Sequence, residues 1–275
     1  MVGKLYLVAT PIGNLEDITL RAINVLKKVD LIAAEDTRHT LQLLNHLEIS
    51  KPLVSYYKQN EKYKKELIIE KLEEGKNVAI VSDAGTPAIS DPGEEVVRYA
   101  IEKNIDVIPI PGANAAISAL ICSGLNTNQF TFIGFLPTNK KEKKEILEDI
   151  KQEKRTLIFY EAPHKLTKTL EDIKEILGNR EIALARELTK LHEEFIRGDI
   201  QSVLKNLGEP RGEFVIIVEG SKLGEREAQI EDLKQLSLEK HYEFYQNLGM
   251  NKKEIIKQIA KDRKVEKNEI YQYFM

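Results

Sequence analysis

Six short clusters of polar and turn-forming residues each follow directly on an apolar run. They are Thr10-Pro11-Ile12-Gly13-Asn14, Glu35-Asp36-Thr37-Arg38, Ser82-Asp83-Ala84-Gly85-Thr86-Pro87, Pro111-Gly112-Ala113-Asn114, Glu161-Ala162-Pro163-His164-Lys165 and Arg186-Glu187. Carboxylates beside glycine and small side chains, at the C-terminal ends of parallel strands, are how an open α/β sheet builds a small-molecule crevice. The longest cluster sits in Val78–Gly93, VAIVSDAGTPAISDPG. Val78 to Val81 is apolar and largely β-branched with no helical face, and reads as a buried parallel strand. Ser82 to Pro87 is too rich in turn formers to continue it. Ser90-Asp91-Pro92-Gly93 reads as a helix start, with Asp91 or Ser90 as N-cap and Pro92 at the first helical position. The connection is longer than a plain βα turn needs.

Several common chemistries lack their residues. The first cluster is not G-x-G-x-x-G, which argues against a dinucleotide site and against the methyltransferase fold with a glycine-rich first loop. No P-loop or H-E-x-x-H motif occurs, and no G-x-S-x-G elbow supports a hydrolase triad. The five histidines, His39, His46, His164, His192 and His241, are too dispersed to suggest a metal site, so no metal is expected. The single cysteine, Cys122, excludes an internal disulfide. Its apolar surroundings, AAISALICSG, predict a buried inert thiol.

The elements that must position these clusters follow from length and patterning. The 275 residues, 42% hydrophobic and 31% charged, suit roughly two globular domains with a small appendage. No window reaches the ~18 apolar residues of a membrane span. The N-terminal apolar run reads as a first strand and not as a signal peptide. A reducing, cytoplasmic location is the expectation. A net charge of -3 gives no global argument for nucleic acid, so any such surface must be local.

Five βα units in a row predict a doubly wound, mostly parallel sheet for residues 1–120. From Gly124 the texture changes. Strands at Phe130–Phe135, Leu157–Tyr160, Glu181–Ala185, Glu193–Arg197 and Phe214–Glu219, with few full crossover helices, predict an α+β domain with a mixed sheet over 121–222. A polar linker, SKLGERE, follows Gly220. Residues 229–275 read as a helical tail, its last two helices resembling a helix-turn-helix. Residues 249–267 carry seven Lys/Arg against three acids. A solvated cap or dimerisation element and an RNA-contacting element account for that tail equally well.

The segments V-A-T-P-I-G-N-L-E-D (8–17), A-A-E-D-T-R (33–38), V-S-D-A-G-T-P-A-I-S-D-P-G (81–93), P-G-A-N-A (111–115) and F-Y-E-A-P-H-K (159–165) together resemble the tetrapyrrole-methylase-like, class III methyltransferases. Within them the resemblance is to the ribosomal branch, which 2′-O-methylates cytidine-1402 of 16S ribosomal RNA. It covers roughly residues 3–220 and, more loosely, the tail. It implies two α/β domains with S-adenosyl-L-methionine folded in the cleft between them, usually in a homodimer. It implies donor contacts from Pro11, Asp83, Ala84, Gly85, Thr86, Ile89, Ala115 and Ala116, and from the second domain near Tyr160 and Ala185. The expected substrate partner is 16S ribosomal RNA or a small-subunit particle. Relatives that act on corrinoid-type rings often have a glycine-rich first loop, and ATPIGN here favours the ribosomal branch.

A ribose 2′-hydroxyl is a poor acid, so a positioned base should take its proton. The candidates are Glu35, Asp36, Glu161 and Glu187, with His164 as an outsider. Each also serves as readily as a helix cap or half of an ion pair. Arg38, Lys165 and Arg186 are candidates to hold phosphates or to orient those acids. Lysine-rich runs at 58–65, 140–144 and 252–267 could meet RNA, although such runs are more often solvated helix faces. Two alternatives stay open: methylation of a small tetrapyrrole on the same fold, and a non-catalytic RNA-binding or assembly protein.

Overall fold

Strand β4 (Val78–Val81) shows how the first sheet is layered. All four residues are buried, and they alternate between two cores. Val78 and Ile80 pack with Ile68, Leu72 and Val96, whereas Ala79 and Val81 pack with Ala22, Leu26 and Leu44. A strand covered on both faces has no polar side to show, hence its unbroken apolar run. In the computed structural model, which describes residues 1–222, 229, 230 and 232–275, β4 pairs in parallel with β1 (Leu5–Val8) and β2 (Leu31–Ala34). Strands β3 (Leu53–Ser55) and β5 (Val107–Ile110) complete an all-parallel sheet in the order β3-β2-β4-β1-β5.

Helices α1 (Leu20–Lys28) and α2 (Thr37–His46) contribute to the core on one face, and α3 (Glu61–Glu73) and α4 (Glu94–Glu102) to the core on the other. The starts of α1 and α2 are set by side chains that accept otherwise unpaired amides. Thr19 Oγ1 accepts from Ala22 N at 3.1 Å, and Asp36 accepts from Arg38 N at 2.8 Å.

The start of α4 departs from the sequence expectation. Neither Ser90 nor Asp91 caps it; the helix begins after Gly93, whose φ is 142°. Ala88 and Ser90 have φ of 65° and 69°, and the Ala88 amide donates to the Pro92 carbonyl at 3.3 Å. The chain therefore makes a closed loop before the helix. The Gly93 amide donates to Glu61 Oε1 at 3.0 Å, so a carboxylate from α3 does the work assigned to a local cap. Asp91 is released from capping.

The second sheet is mixed, in the order β6-β7-β10-β8-β9. Strands β6 (Phe130–Phe135) and β7 (Thr156–Glu161) run parallel; β8 (Glu181–Arg186), β9 (Glu194–Asp199) and β10 (Phe214–Val218) join antiparallel. Fully buried β10 again divides its side chains. Phe214, Ile216 and Val218 meet helix α7 (Pro163–Leu177) through Leu166, Leu170 and Ile173, and α8 (Ile200–Asn206) through Ile200 and Val203. Helix α6 (Lys140–Asp149) adds Leu147 to that core. Val215 and Ile217 meet Ala116, Ala119 and Leu120 of α5 (Ala115–Cys122). The last helix of the βα series thus lies on the second sheet and ties it to the first.

Cys122 is exposed, contrary to the expectation of a buried thiol. Helix α5 is apolar apart from Ser118, but only the face carrying Ala116, Ala119 and Leu120 is covered. Ile121, on another face, is 69% exposed.

Residues 1–150 and 155–219 form one compact unit holding both sheets; 151–154 and 220–275 form another. In the second, helices Leu238–Asn247, Lys252–Arg263 and Lys267–Tyr273 enclose Ile255, Ile256, Ile259 and Ile270. Asn251 and Glu254 form a reciprocal capping box at the start of the middle helix. Most of the expected polar linker lies outside the described residues.

Candidate active site

The loop after β4 is pinned to the loop after β1. Thr10 and Gly85 exchange backbone hydrogen bonds of 2.9 and 3.1 Å, and Thr10 Oγ1 donates to the Ser82 carbonyl at 3.2 Å. Gly85 has φ of 83°, a conformation that favours glycine, and a Cβ there would stand 3.2 Å from Ile12 Cγ2, a tight contact that the Ile12 side chain would have to relieve. Thr86 Oγ1 donates to the Ala113 carbonyl at 3.1 Å, joining the β4 loop to the turn before α5. Asn114 caps α5 by accepting from Ile117 N at 3.1 Å. Three strand ends of the first sheet therefore form one continuous rim, built from residue types that turn and pair locally.

That rim opens on a cavity of about 460 Å³, within the ~300–1,000 Å³ of small-molecule sites. Ala84, Gly85, Thr86, Ile89 and Asp91 line one wall, with Asn114 and Ala115 beside them. The second sheet supplies Phe135, Tyr160, Glu161, Ala185 and Val215. The Tyr160 ring packs edge-on against Phe132 and Phe135, at 5.1 and 5.5 Å between centroids. Burial pushes its phenol above the ordinary tyrosine range, so the hydroxyl stays protonated.

Of the expected contact residues, Ala84, Gly85, Thr86, Ile89, Ala115, Tyr160 and Ala185 lie on the cavity wall, and Pro11, Asp83 and Ala116 do not. Asp83 instead accepts the Asp36 amide at 2.8 Å, fastening the end of β2 to the end of β4. Its charge still reaches the cavity. Asp91 is pushed up to about 6, first by burial and then by the negative charges of Glu35 and Asp83, against a lowering hydrogen bond from Ser82. Glu35 is also raised, by burial and by Asp83.

The other candidate acids are engaged elsewhere. Asp36 caps α2 and takes two bonds from Arg38, at 3.1 and 2.7 Å, which hold it far below the usual carboxylate range. Glu161 borders the cavity, but its oxygens accept from Ala162 N at 2.9 Å and from Thr169 Oγ1 at 2.6 Å. Glu187 accepts from Glu213 N and from Lys190 Nζ, each at 3.0 Å, and is lowered, chiefly by the Glu213 amide. Arg186 is tied to the Arg211 carbonyl and to Glu194. Arg38 is exposed beside Asp36. His164 and Lys165 border a separate pocket. Among the described residues no group of three His, Cys, Asp or Glu is arranged to hold a metal, and no helix is long and apolar enough to cross a membrane.

Asp91 is the cavity carboxylate that sequence reasoning misplaced. Asp-Pro ahead of an apolar helix is a strong cap signal, and only the positive φ values of Ala88 and Ser90, invisible in the sequence, turn it to another use. Phe135 and Val215 carried no signal, because they are single inward positions of ordinary strands.

Two sheets are thus bridged by a helix, with a cavity rimmed by the strand-end loops of the first. The family model described as Tetrapyrrole (Corrin/Porphyrin) Methylases matches residues 4–204, and the chain belongs to that family. Its curated relatives include the Ribosomal RNA small subunit methyltransferase I of Halalkalibacterium halodurans, 54% identical over 99% of this chain and 94% of that protein. The protein of the same name from Bacillus subtilis is 53% identical over 98% and 93%. Among solved structures, uroporphyrin III C-methyl transferase from Thermus thermophilus superposes with a TM-score of 0.55 over 79% of this chain and 97% of that one. At 17% identity, that likeness bears on the fold alone.

Proposed function

We propose that this protein is an S-adenosyl-L-methionine-dependent methyltransferase that methylates the 2′-oxygen of cytidine-1402 in 16S ribosomal RNA. The observation that carries the reading is near-full-length identity of 54% and 53% to two proteins named Ribosomal RNA small subunit methyltransferase I. The cavity fits the donor by size and by chemistry. Its volume of about 460 Å³ suits a nucleoside-sized ligand, and its wall joins apolar Ile89, Ala115, Ala185 and Val215 to the hydroxyls of Thr86 and Tyr160. A sulfonium donor supplies an electrophilic methyl group that needs no covalent intermediate. Ala84, Gly85, Thr86, Ile89, Ala115, Tyr160 and Ala185 would hold it, and Asp83 would act from behind as the strut of the loop.

What remains for the protein is alignment and proton removal. In this reading Asp91 accepts the ribose hydroxyl proton. It faces the cavity, and its carboxylate is poised near neutrality. Glu35 is the second candidate and acts on the Asp91 charge. The protein works in the cytoplasm on 16S RNA or a small-subunit particle, presented as an unstacked nucleotide. It works as a homodimer, a reading supported by the bare apolar side of α5 at Ile117, Ile121 and Cys122.

The test is mass spectrometry of 16S RNA and of small subunits after incubation with protein and donor. A methyl group on the ribose of that one cytidine is expected. Labelling of a corrinoid precursor alone, or no donor binding at all, overturns the reading.

A further inference from the structure

A second pocket, of about 370 Å³, lies between the start of α6 and the first turns of α7. It is lined by Lys140, Lys143, Lys144, Lys165 and Lys168, with His164 at its mouth. Only two carboxylates, Asp172 and Glu175, join that lining. Asp172 is already shared, at 3.2 Å from Lys143 Nζ and 3.0 Å from Lys168 Nζ. Among the described residues, Lys140, Lys144 and Lys165 have no carboxylate partner. Three lysines without a carboxylate partner thus line one concave surface, a local excess of positive charge that attracts an anion.

The pocket adjoins the methyl-donor cavity through the chain itself. Phe135 borders the cavity and Leu136 the pocket; Pro163 borders the cavity and His164 the pocket. Neighbouring residues are ~3.8 Å apart at their α-carbons, so the linings of the two concavities meet at these two points of the chain. A chain of hydrogen bonds also joins the two linings. Lys143 Nζ donates to Thr169 Oγ1 at 3.4 Å, and Thr169 donates to Glu161 on the cavity wall at 2.6 Å.

We propose that this pocket binds the phosphodiester backbone of the RNA substrate next to the target nucleotide, with Lys140, Lys144 and Lys165 as the phosphate ligands. The proposal rests on the RNA-methylating reading above and deepens it. Lys143 and Lys168, neutralised by Asp172, shape the floor. The junctions at Phe135-Leu136 and Pro163-His164 bring the pocket beside the cavity that would hold the target ribose. The basic side chains are compact point charges on flexible stems, suited to a backbone whose exact path differs between free RNA and a ribosomal particle.

The test uses the full chain carrying Lys140→Gln, Lys144→Gln and Lys165→Gln together. A control removes Lys27, Lys28 and Lys205, exposed lysines that lie in none of the three lysine-rich runs. Affinity for a 16S fragment containing the target is measured across a salt series, alongside methyl-transfer kinetics and donor binding. Loss of three single-strand phosphate contacts flattens the log K against log salt slope by about 2. The pocket variant should show that flattening, a raised KM for RNA, a kcat close to that of the wild type and unchanged donor affinity. An unchanged slope and KM overturns the pocket while leaving the RNA reading standing. Equal flattening in the control also overturns it, since general charge would then be responsible. A wild-type protein that methylates no RNA overturns the functional reading itself, a separate result.

Discussion

The Asp83 carboxylate accepts the backbone amide of Asp36 at 2.8 Å across 47 positions of chain. This bond locks together the two loops that end β2 and β4, while the Asp83 charge raises the proton affinity of both Glu35 and Asp91. One side chain therefore sets the shape of the cavity rim and its proton chemistry.

Replacing it separates the two effects. Asp83→Asn can still accept the amide but removes the charge, so the acidic limb of the activity profile should move to lower pH with little loss of melting temperature. Asp83→Ala removes both, and should cost about 1.5–3 kcal/mol, the range for a bond to a charged acceptor. Parallel melts and pH–rate profiles of the two variants check this. Identical behaviour of the two variants would count against a distinct electrostatic role.

Asp91→Asn should lower kcat on the order of 10²–10⁴-fold and abolish the limb near pH 6. Stability should change in the opposite sense. The folded protein holds this carboxyl's proton more tightly than the unfolded chain does. Its contribution is complete below the ordinary aspartate pKa of about 3.9 and is lost as pH rises through about 6. The asparagine variant should therefore gain more melting temperature at pH 8 than at pH 4, which calorimetry at the two values will show.

Gly85→Ala places a side chain at φ of 83° and 3.2 Å from Ile12 Cγ2. A cost of about 1–2 kcal/mol is expected from the left-handed conformation alone. S-adenosyl-L-methionine binding should weaken in titration calorimetry, because Ile12, itself on the cavity wall, must shift by a few tenths of an ångström to make room. Unaltered affinity would show that the rim is not the donor wall.

In the helical unit, His241 is fully buried, with Nε2 3.3 Å from Asp262 and Nδ1 accepting from Arg263 at 3.2 Å. Burial, followed by the Arg263 charge, lowers its pKa, against the raising influence of Asp262. A histidine held neutral contributes stability that is present above the unfolded value of about 6.5 and lost as pH falls through the folded one. Its imidazole resonance in NMR should titrate below 6.5, and His241→Asn should remove that part of the acid sensitivity. A resonance titrating above 6.5 contradicts this.

Most of the architecture was legible because local and global signals agree. Buried strands such as Val78–Val81 are apolar on both faces, and Thr19, Asp36 and Asn114 cap the helices they precede. Legibility failed where a distant group took over a local task. Glu61 receives the Gly93 amide, so Asp91 is not a cap; α5 packs on the second sheet, so its largely apolar sequence could not tell which side, or Cys122, would be left bare. The candidate site was readable as a set of loops. Which of its many acids could act as a base there was not, because Asp36, Glu161 and Glu187 are taken by partners that only the fold brings near.

The position of β10 bears on how the chain is made. Among the described residues, 214–218 form the last strand in sequence, yet they lie between β7 and β8 at the centre of their sheet. The first sheet has all its strands once Ile110 has left the ribosome. The second must wait with a central slot open, its inner edges and the underside of α5 uncovered, until about a hundred further residues are translated. Truncations that stop before Phe214 should therefore be trapped as half-folded, chaperone-bound species, and the closing of that slot sets when a nascent chain becomes a working molecule.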